Sequence, residues 1–204
     1  RSQACSVLSH AQPASGGADW AAEAYRWRRE EVRVCRQFGT FADLAAASSA
    51  CACLLADQGE FERAANDHAR ALQWARISGD QGVEARALTD RGVTKAVLAR
   101  ALRHPRLLKE AVQDYREAEH ALANLPANDD LQAMLAEIWL DLAAAMHQQG
   151  RTHQALAAAN EGYEAACDCR RQDLVNAARD VLQRVEPGGK SFRRVMGPGD
   201  DGAI

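Results

Sequence analysis

The chain of 204 residues has little aromatic content, 5%, and contains no long uninterrupted apolar stretch. A helix that spans a bilayer requires roughly 18 consecutive apolar residues, so we expect no membrane contact of that kind. The formal net charge of −3 gives no overall attraction to nucleic acid or to anionic lipid, so nucleic acid is an unlikely partner. Residues 1–17 lack the basic start and the apolar stretch of a secretory signal, and we expect a cytoplasmic protein.

Catalytic sequence motifs are also missing. The patterns Gly-x-Ser-x-Gly, His-Glu-x-x-His and Gly-x-Gly-x-x-Gly do not occur. The segment 188–191, Gly-Gly-Lys-Ser, is similar to the end of a phosphate-binding loop, but Arg184 stands where that motif requires its leading glycine. We therefore expect this chain not to be an enzyme and to use no cofactor or metal.

Cysteine is too sparse for a disulfide scaffold, at six residues in the whole chain. Two pairs are separated by one residue, Cys51 with Cys53 and Cys167 with Cys169. Residues two apart on a helix point about 200° away from each other, so such a pair does not hold one ion. We expect packing roles for these cysteines, and a thiol or metal site at Cys167 and Cys169 is the alternative.

Alanine is abundant, with 43 residues, and arginine outnumbers lysine by 22 to 3. Alanine is the best helix former and fills little core volume, so the composition favours closely packed helices in an all-α fold. The excess of alanine and arginine is also typical of a GC-rich genome, and we expect a bacterial source. Because the sequence starts at Arg1 rather than at a methionine, we expect it to be part of a longer protein.

Segments recur along the chain at a spacing of about forty residues. Residues 35–40 are echoed by residues 75–80, and residues 59–64 are echoed at 108–111 and at 150–155. A fixed period of roughly 20–50 residues is typical of solenoids, because one helix pair cannot bury its apolar face alone.

Turn residues divide the repeats into helices. Glycine or an N-capping residue interrupts the periodic pattern at 39–40, 59, 79–80, 126–130 and 150. The predicted helices cover 18–37, 41–57, 60–78, 82–101, 107–123, 129–149, 152–168 and 171–185. The stretch 100–106 adds residues to the repeat and is predicted either to lengthen a helix pair or to form a basic loop. We predict a truncated first helix and linker over 1–17, a repeat domain over 18–185 and a flexible tail over 186–204.

The repeat pattern resembles the tetratricopeptide repeat (TPR), a helix–turn–helix unit, in a variant with a longer period of about forty residues. The residues that match its motif are Gly59, Phe61, Ala64, Trp139, Leu142, Gly150 and Ala155. The resemblance covers residues 18–185. It implies a right-handed solenoid of antiparallel helix pairs, about four of them with a capping helix.

The same resemblance implies a concave groove lined by the first helix of each pair. Placed on this sequence, the family's register predicts that the groove contains Ser49, Cys53, Asp57, Arg86, Asp90, Val93, Glu137, Asp141 and Ala144. The lysine, asparagine and arginine clamp with which some members of the family hold a terminal carboxylate is absent from these positions. Carboxylates at 90, 137 and 141 instead favour a basic or amphipathic segment as the ligand. Alternatively, these carboxylates only solvate a helix face.

Two basic stretches of the sequence are candidate contacts for an anionic partner. The segment 26–33 interleaves arginines with a tryptophan, but Glu30 and Glu31 lie within i+3 or i+4 reach, which predicts self-paired charge on a solvated face. A more localised basic patch contains Arg100, Arg103, His104, Arg106 and Lys109. We expect that patch to be a solvated helix end or loop, with contact to an anionic partner as the alternative.

Together these features predict a scaffold that binds a protein or peptide partner through its groove. Long-period repeats of this kind resemble the interaction or sensor modules of larger regulatory proteins, and we expect the chain to be such a module. The alternative is an accessory module of an enzyme whose catalytic part lies outside this chain. The exposed ends of a four-pair array also make an oligomer possible.

Overall fold

The structure is a computed structural model that describes residues 18–123, 125, 126 and 128–185, of which 18–21 are described by their backbone alone. Within these residues all regular secondary structure is α-helical. The helices are α1 (Ala18–Phe38), α2 (Phe41–Asp57), α3 (Phe61–Ser78), α4 (Gln81–Leu102), α5 (Pro105–Leu122), α6 (Asp129–Gln148), α7 (Thr152–Asp168) and α8 (Gln172–Val185).

The observed helix ends lie within two residues of the predicted ones. The chain divides into two compact units with the boundary between residues 124 and 125, so that α1–α5 belong to the first unit and α6–α8 to the second. The predicted linker over 1–17 and the predicted tail over 186–204 lie outside the described residues.

Side-chain caps fix the start of three helices. Thr40 begins α2 with a capping box, in which its hydroxyl accepts from the Asp43 amide at 3.1 Å and its own amide donates to the Asp43 carboxylate at 2.9 Å. The Thr40 amide and the Thr40 hydroxyl, which also donates to the Asp43 carboxylate at 2.9 Å, together lower the pKa of Asp43, and the amide has the larger effect. Asp80 accepts from two amides at the start of α4, and Asn128 accepts from one at the start of α6.

Residues in the left-handed region end several helices. Gly59, Gly79 and Gly150 have φ values of 79°, 70° and 74° at the predicted turns, which glycine adopts without a steric penalty. At the α4–α5 junction the same role falls to Arg103, with φ of 50°. The stretch 100–106 therefore lengthens α4, and the connection consists of Arg103 and His104, not of a long basic loop.

In the first unit, α2 packs against α1, α3 and α4, and α4 packs against α5. Small residues bring the backbones close together. At Gly92 of α4, an added Cβ would lie 2.8 Å from the Tyr115 ring of α5, whose side chain is buried. The prediction of closely packed helices is thus confirmed at this interface.

Charged side chains are buried at the same α4–α5 interface. The Asp114 carboxylate accepts from Arg91 at 2.9 and 2.6 Å and from the Lys95 ammonium at 2.8 Å, while the residue is 3% exposed. A desolvated carboxylate is tolerated because three charge-assisted hydrogen bonds replace its water.

A buried histidine joins α3 to α4. His68 is fully buried, and its Nε2 lies 2.9 Å from the Thr94 hydroxyl. Its Nδ1 has no hydrogen-bond partner among the residues that the structure describes. Burial lowers the pKa of His68 to about 4, so the ring is neutral near pH 7.

In the second unit, α6 packs against both α7 and α8, and α7 packs against α8. Its interior includes a cluster of small and branched apolar residues, namely Ala136, Ala165, Ala166, Cys169, Leu174 and Val175. Gly162 of α7 allows a close approach to α6, because an added Cβ would lie 2.9 Å from a methyl carbon of Leu140. Each unit therefore packs one helix against its next and next-but-one neighbours.

Candidate binding clefts

A cavity of about 450 Å³ lies between α2 and α4 in the first unit, and we call it the α2–α4 cleft. Of the predicted groove residues, Ser49 and Cys53 of α2 and Arg86 and Asp90 of α4 line it together. Alanines supply much of the remaining wall, which leaves a shallow and open surface. The other lining residues are Arg28, Ala45, Ala46, Ala50, Leu54, Val83 and Ala87.

The Asp90 carboxylate has partners within this cleft. It accepts from the Ser49 hydroxyl at 2.7 Å, and Arg86 Nε lies 3.2 Å from its other oxygen. Arg28 adds a second guanidinium to the wall. The expectation of an acidic groove is therefore wrong for this cleft, because one carboxylate faces two guanidinium groups.

Arg28 is held by a buried ion pair. Its Nη1 lies 2.6 Å from the Glu31 carboxylate, and the two side chains are 7% and 9% exposed. The predicted self-pairing of the segment 26–33 is confirmed here and for Arg33 with Glu30. The Arg28–Glu31 pair is nevertheless buried and not on a solvated face.

Two predicted groove residues of the first unit are not among those that line the cleft. Asp57 is exposed at the end of α2, and Val93 is 39% exposed on α4, one turn beyond Asp90. Val93 follows Arg86 and Asp90 at the i+7 and i+3 positions, so it extends the same face of α4. Asp57 lies at the last turn of its helix, beyond the part that α4 covers.

The Cys53 thiol lies in the wall of the α2–α4 cleft and is partly buried. Burial raises its pKa to about 12, with the Asp90 and Asp57 charges acting in the same direction. A thiol with this pKa is protonated near pH 7 and contributes an apolar surface.

A second cavity of about 450 Å³ lies between α6 and α8 in the second unit, and we call it the α6–α8 cleft. The predicted Glu137, Asp141 and Ala144 line it from α6 together with Leu140. Its other wall, on α8, consists of Leu174, Ala177, Asp180, Val181 and Arg184. Three carboxylates and one guanidinium give this cleft a net negative charge.

Sequence reasoning missed the α8 wall of this cleft. Leu174, Ala177, Val181 and Arg184 follow one another at i, i+3, i+7 and i+10, which is the spacing of a single helix face. This spacing is visible in the sequence, but the register of the resemblance assigned groove residues only to α2, α4 and α6.

The predicted basic patch is assembled at the α4–α5 junction. Arg100, Arg103, His104, Arg106 and Lys109 are all exposed around this short connection. Arg106 Nε lies 3.5 Å from the Glu110 carboxylate one turn further along α5. The patch is thus a helix junction on the surface of the first unit, in agreement with the expected solvated helix end or loop.

Cys167 and Cys169 have different surroundings. Cys167 is exposed, whereas Cys169 is buried and donates its thiol hydrogen to the Ala166 carbonyl at 3.3 Å. The two sulfur atoms therefore do not face one ligand, and the geometry does not favour a shared metal at this pair. In the part of the chain that the structure describes, no group of three or more potential ligand side chains is placed to hold a metal ion.

No protein-family model and no curated protein sequence matches this chain. Among the described helices, none combines the length and the apolar character that crossing a bilayer requires.

Proposed function

We propose that the chain is a TPR-like right-handed solenoid of antiparallel helix pairs and that its clefts bind segments of a protein partner. The observation that supports this most is the recurrence of one arrangement in two units. The α2–α4 and α6–α8 clefts each lie between a helix and its next-but-one neighbour, where that resemblance expects a ligand groove. Such clefts are formed by rigid helices, so binding costs this chain little ordering entropy.

The ligand that we propose for the α6–α8 cleft is a basic amphipathic segment. Glu137, Asp141 and Asp180 attract a cationic side chain, and Leu140 and Val181 offer an apolar floor. The α2–α4 cleft, with two guanidinium groups and one carboxylate, suits a segment of mixed charge.

A peptide selection tests this proposal. Random helical peptides displayed on phage are selected on the chain, and the affinity of the recovered peptides is measured by fluorescence anisotropy. We expect a class of basic peptides among those recovered, and we expect the double variant Glu137→Gln with Asp141→Asn to weaken the binding of this class about tenfold and to flatten its salt dependence. The matched control is Glu161→Gln with Glu164→Gln, which neutralises two exposed carboxylates on α7.

Two results would contradict the proposal. Binding that is equally weakened by the control variant would mean that only the total charge of the unit matters. Recovered peptides that bind the cleft variant as well as they bind the parent chain would show that the α6–α8 cleft is not their site.

A further inference from the structure

Four arginines lie along one face of α1. Arg26, Arg29, Arg33 and Arg36 follow the spacing i, i+3, i+7 and i+10, and all four are exposed. Over these ten residues an α-helix rises about 15 Å. We call these four residues the arginine stripe. It has the length and the regularity of a helix-binding surface.

These arginines form one wall of a cavity of about 480 Å³ between α1 and α3, which we call the α1–α3 cleft. Asp67 and Arg70 line it from α3, and Ser48 and Cys51 of α2 form its floor. At about 100° per residue, Cys51 lies about 160° around α2 from both Ser49 and Cys53, which line the α2–α4 cleft. The α1–α3 cleft thus uses the opposite side of α2.

Positive charge is in excess here. Five guanidinium groups line the cleft, against the carboxylates of Glu30 and Asp67. Glu30 is paired with Arg33 at 2.6 Å, and Asp67 with Arg70 at 3.3 Å. Arg26 and Arg36, at the two ends of the stripe, have no hydrogen-bond or ion-pair partner among the side chains that the structure describes. A chain with a net charge of −3 therefore concentrates a local excess of three positive charges in one cleft.

Tyr25 holds the two helices together at one end of the cleft. Its phenol oxygen accepts from Arg29 at 3.2 Å and from Arg63 of α3 at 3.0 Å. The two guanidinium carbons lie 5.9 and 5.3 Å from the centre of its ring. These contacts fix the direction of Arg29 before any ligand arrives, which lowers the ordering cost of binding.

We propose that the α1–α3 cleft binds an acidic helical segment of a partner protein. Carboxylates on one face of a helix repeat at the same i, i+3, i+7 and i+10 positions as the arginine stripe, and a guanidinium pairs with a carboxylate in a bidentate fork. A helix also matches the cleft in form, since two helices and a floor of small residues leave room for a third. The inference is independent of the two clefts to which the proposed function refers.

A synthetic alanine-rich peptide with glutamates at i, i+3, i+7 and i+10 serves as the probe, and its binding to the full chain is measured by fluorescence anisotropy. An isomer with the same composition, but with its glutamates distributed around the helix, is the reference. We expect the striped peptide to bind about tenfold more tightly than the isomer. Equal affinity for the two peptides would overturn the proposal.

Charge reversal locates the site. The double variant Arg26→Glu with Arg36→Glu should raise the Kd of the striped peptide about tenfold or more, whereas Arg100→Glu with Lys109→Glu at the α4–α5 junction should change it less than about twofold. Both variants change the net charge equally. Equal effects of the two variants would overturn the proposal, because binding would then follow net charge alone.

Two further measurements keep the result interpretable. Circular dichroism and thermal unfolding compare each variant with the parent chain, and if the glutamate variant does not fold, Arg26→Gln with Arg36→Gln replaces it. A single-stranded DNA oligomer with the same charge as the peptide is the competing ligand. If the oligomer binds more tightly than the striped peptide and loses its affinity with the Arg26 and Arg36 variants, the cleft is a nucleic-acid site and the proposal is wrong.

Discussion

The helices of the two units have similar lengths, but they pack with different kinds of side chain. All eight buried polar or charged residues within the described ranges belong to the first unit, among them His68, Asp114 and the Arg28–Glu31 pair. The second unit instead packs alanines, branched aliphatic residues and one cysteine. Buried ion pairs and hydrogen bonds contribute directional contacts that apolar packing lacks, so the first unit has interfaces that a single substitution or a change of pH can weaken.

The clefts of the two units also differ, and the difference lies in their charged side chains. The α2–α4 cleft contains two guanidinium groups and one carboxylate, whereas the α6–α8 cleft contains three carboxylates and one guanidinium. The two clefts have the same volume, about 450 Å³. Two clefts of the same volume therefore present different charges.

The largest effect expected from a substitution is at Asp114. In Asp114→Ala, Arg91 and Lys95 lose a buried partner, and we expect the first unit to lose about 3 kcal/mol of its unfolding free energy. Amide hydrogen exchange followed by NMR reports the loss for α4 and α5 separately from α6 and α7.

The matched control for this substitution is Glu164→Ala, which removes an exposed carboxylate from α7. We expect it to change stability by less than about 0.5 kcal/mol. Equal losses of amide protection in the two variants would contradict the contrast between the units.

Lowering the pH should weaken the first unit through His68. The folded-state pKa of about 4 lies below the ordinary 6.5, so between these values the unfolded chain binds a proton that the folded chain does not. Stability is therefore complete above about pH 6.5 and decreases as the pH falls, by about 2 kcal/mol between pH 7 and pH 5 from this group alone. Protection factors of the α3 and α4 amides, measured at both pH values, give the effect.

The double variant His68→Leu with Thr94→Val removes both partners of the buried hydrogen bond and should remove this contribution to the pH dependence. A slope that persists in the His68 and Thr94 variant would assign it to other groups.

Adding a methyl group at the two close helix contacts should change the stability of the two units by different amounts, and the difference is smaller than for the substitutions above. In Gly92→Ala the new Cβ meets a buried aromatic ring at 2.8 Å, and we expect a loss of about 2 kcal/mol after the gain in helix propensity is included. In Gly162→Ala the nearest atom is the end of the Leu140 side chain, which can rotate, so we expect a change within about 1 kcal/mol. Urea unfolding of both variants, followed by hydrogen exchange, tests whether Gly92→Ala loses more stability than Gly162→Ala.

The smallest effect concerns two arginines with positive φ. Arg103 and Arg170 have φ values of 50° and 54°, and replacing either by glycine should raise stability by about 0.5 kcal/mol, because glycine has no Cβ to strain. Arg100→Gly, within α4, is the control and should lower stability by about 1 kcal/mol. A loss of stability in Arg103→Gly would show that its side chain makes a compensating contact.

The positions of the helices could be predicted from the sequence because their ends depend on local chemistry. Thr40, Asp80 and Asn128 cap the helices that follow them, and glycine supplies the positive φ at three turns. The register of the repeat also located four of the residues that line the α2–α4 cleft and three that line the α6–α8 cleft.

The pairing of charged side chains between helices could not be predicted in this way. Asp114 and Arg91 are 23 residues apart in the sequence, and Ser49 and Asp90 are 41 residues apart. The periodicity within a single helix therefore predicts neither contact. A charged residue on an amphipathic helix ordinarily indicates a solvated face, and that rule assigned the arginines of α1 to solvent. Whether such residues are buried or exposed depends on which helix packs beside them.

Helix α2 alone separates the α2–α4 cleft from the α1–α3 cleft. Two ligand segments that occupy both clefts would therefore lie only about one helix diameter, roughly 10 Å, apart. A partner that carries an acidic helix and a segment of mixed charge on one chain, joined by a linker long enough to pass around α2, would bind its second segment at a high effective concentration. If both clefts bind as proposed, their separation by a single helix would convert two weak contacts into one bivalent attachment.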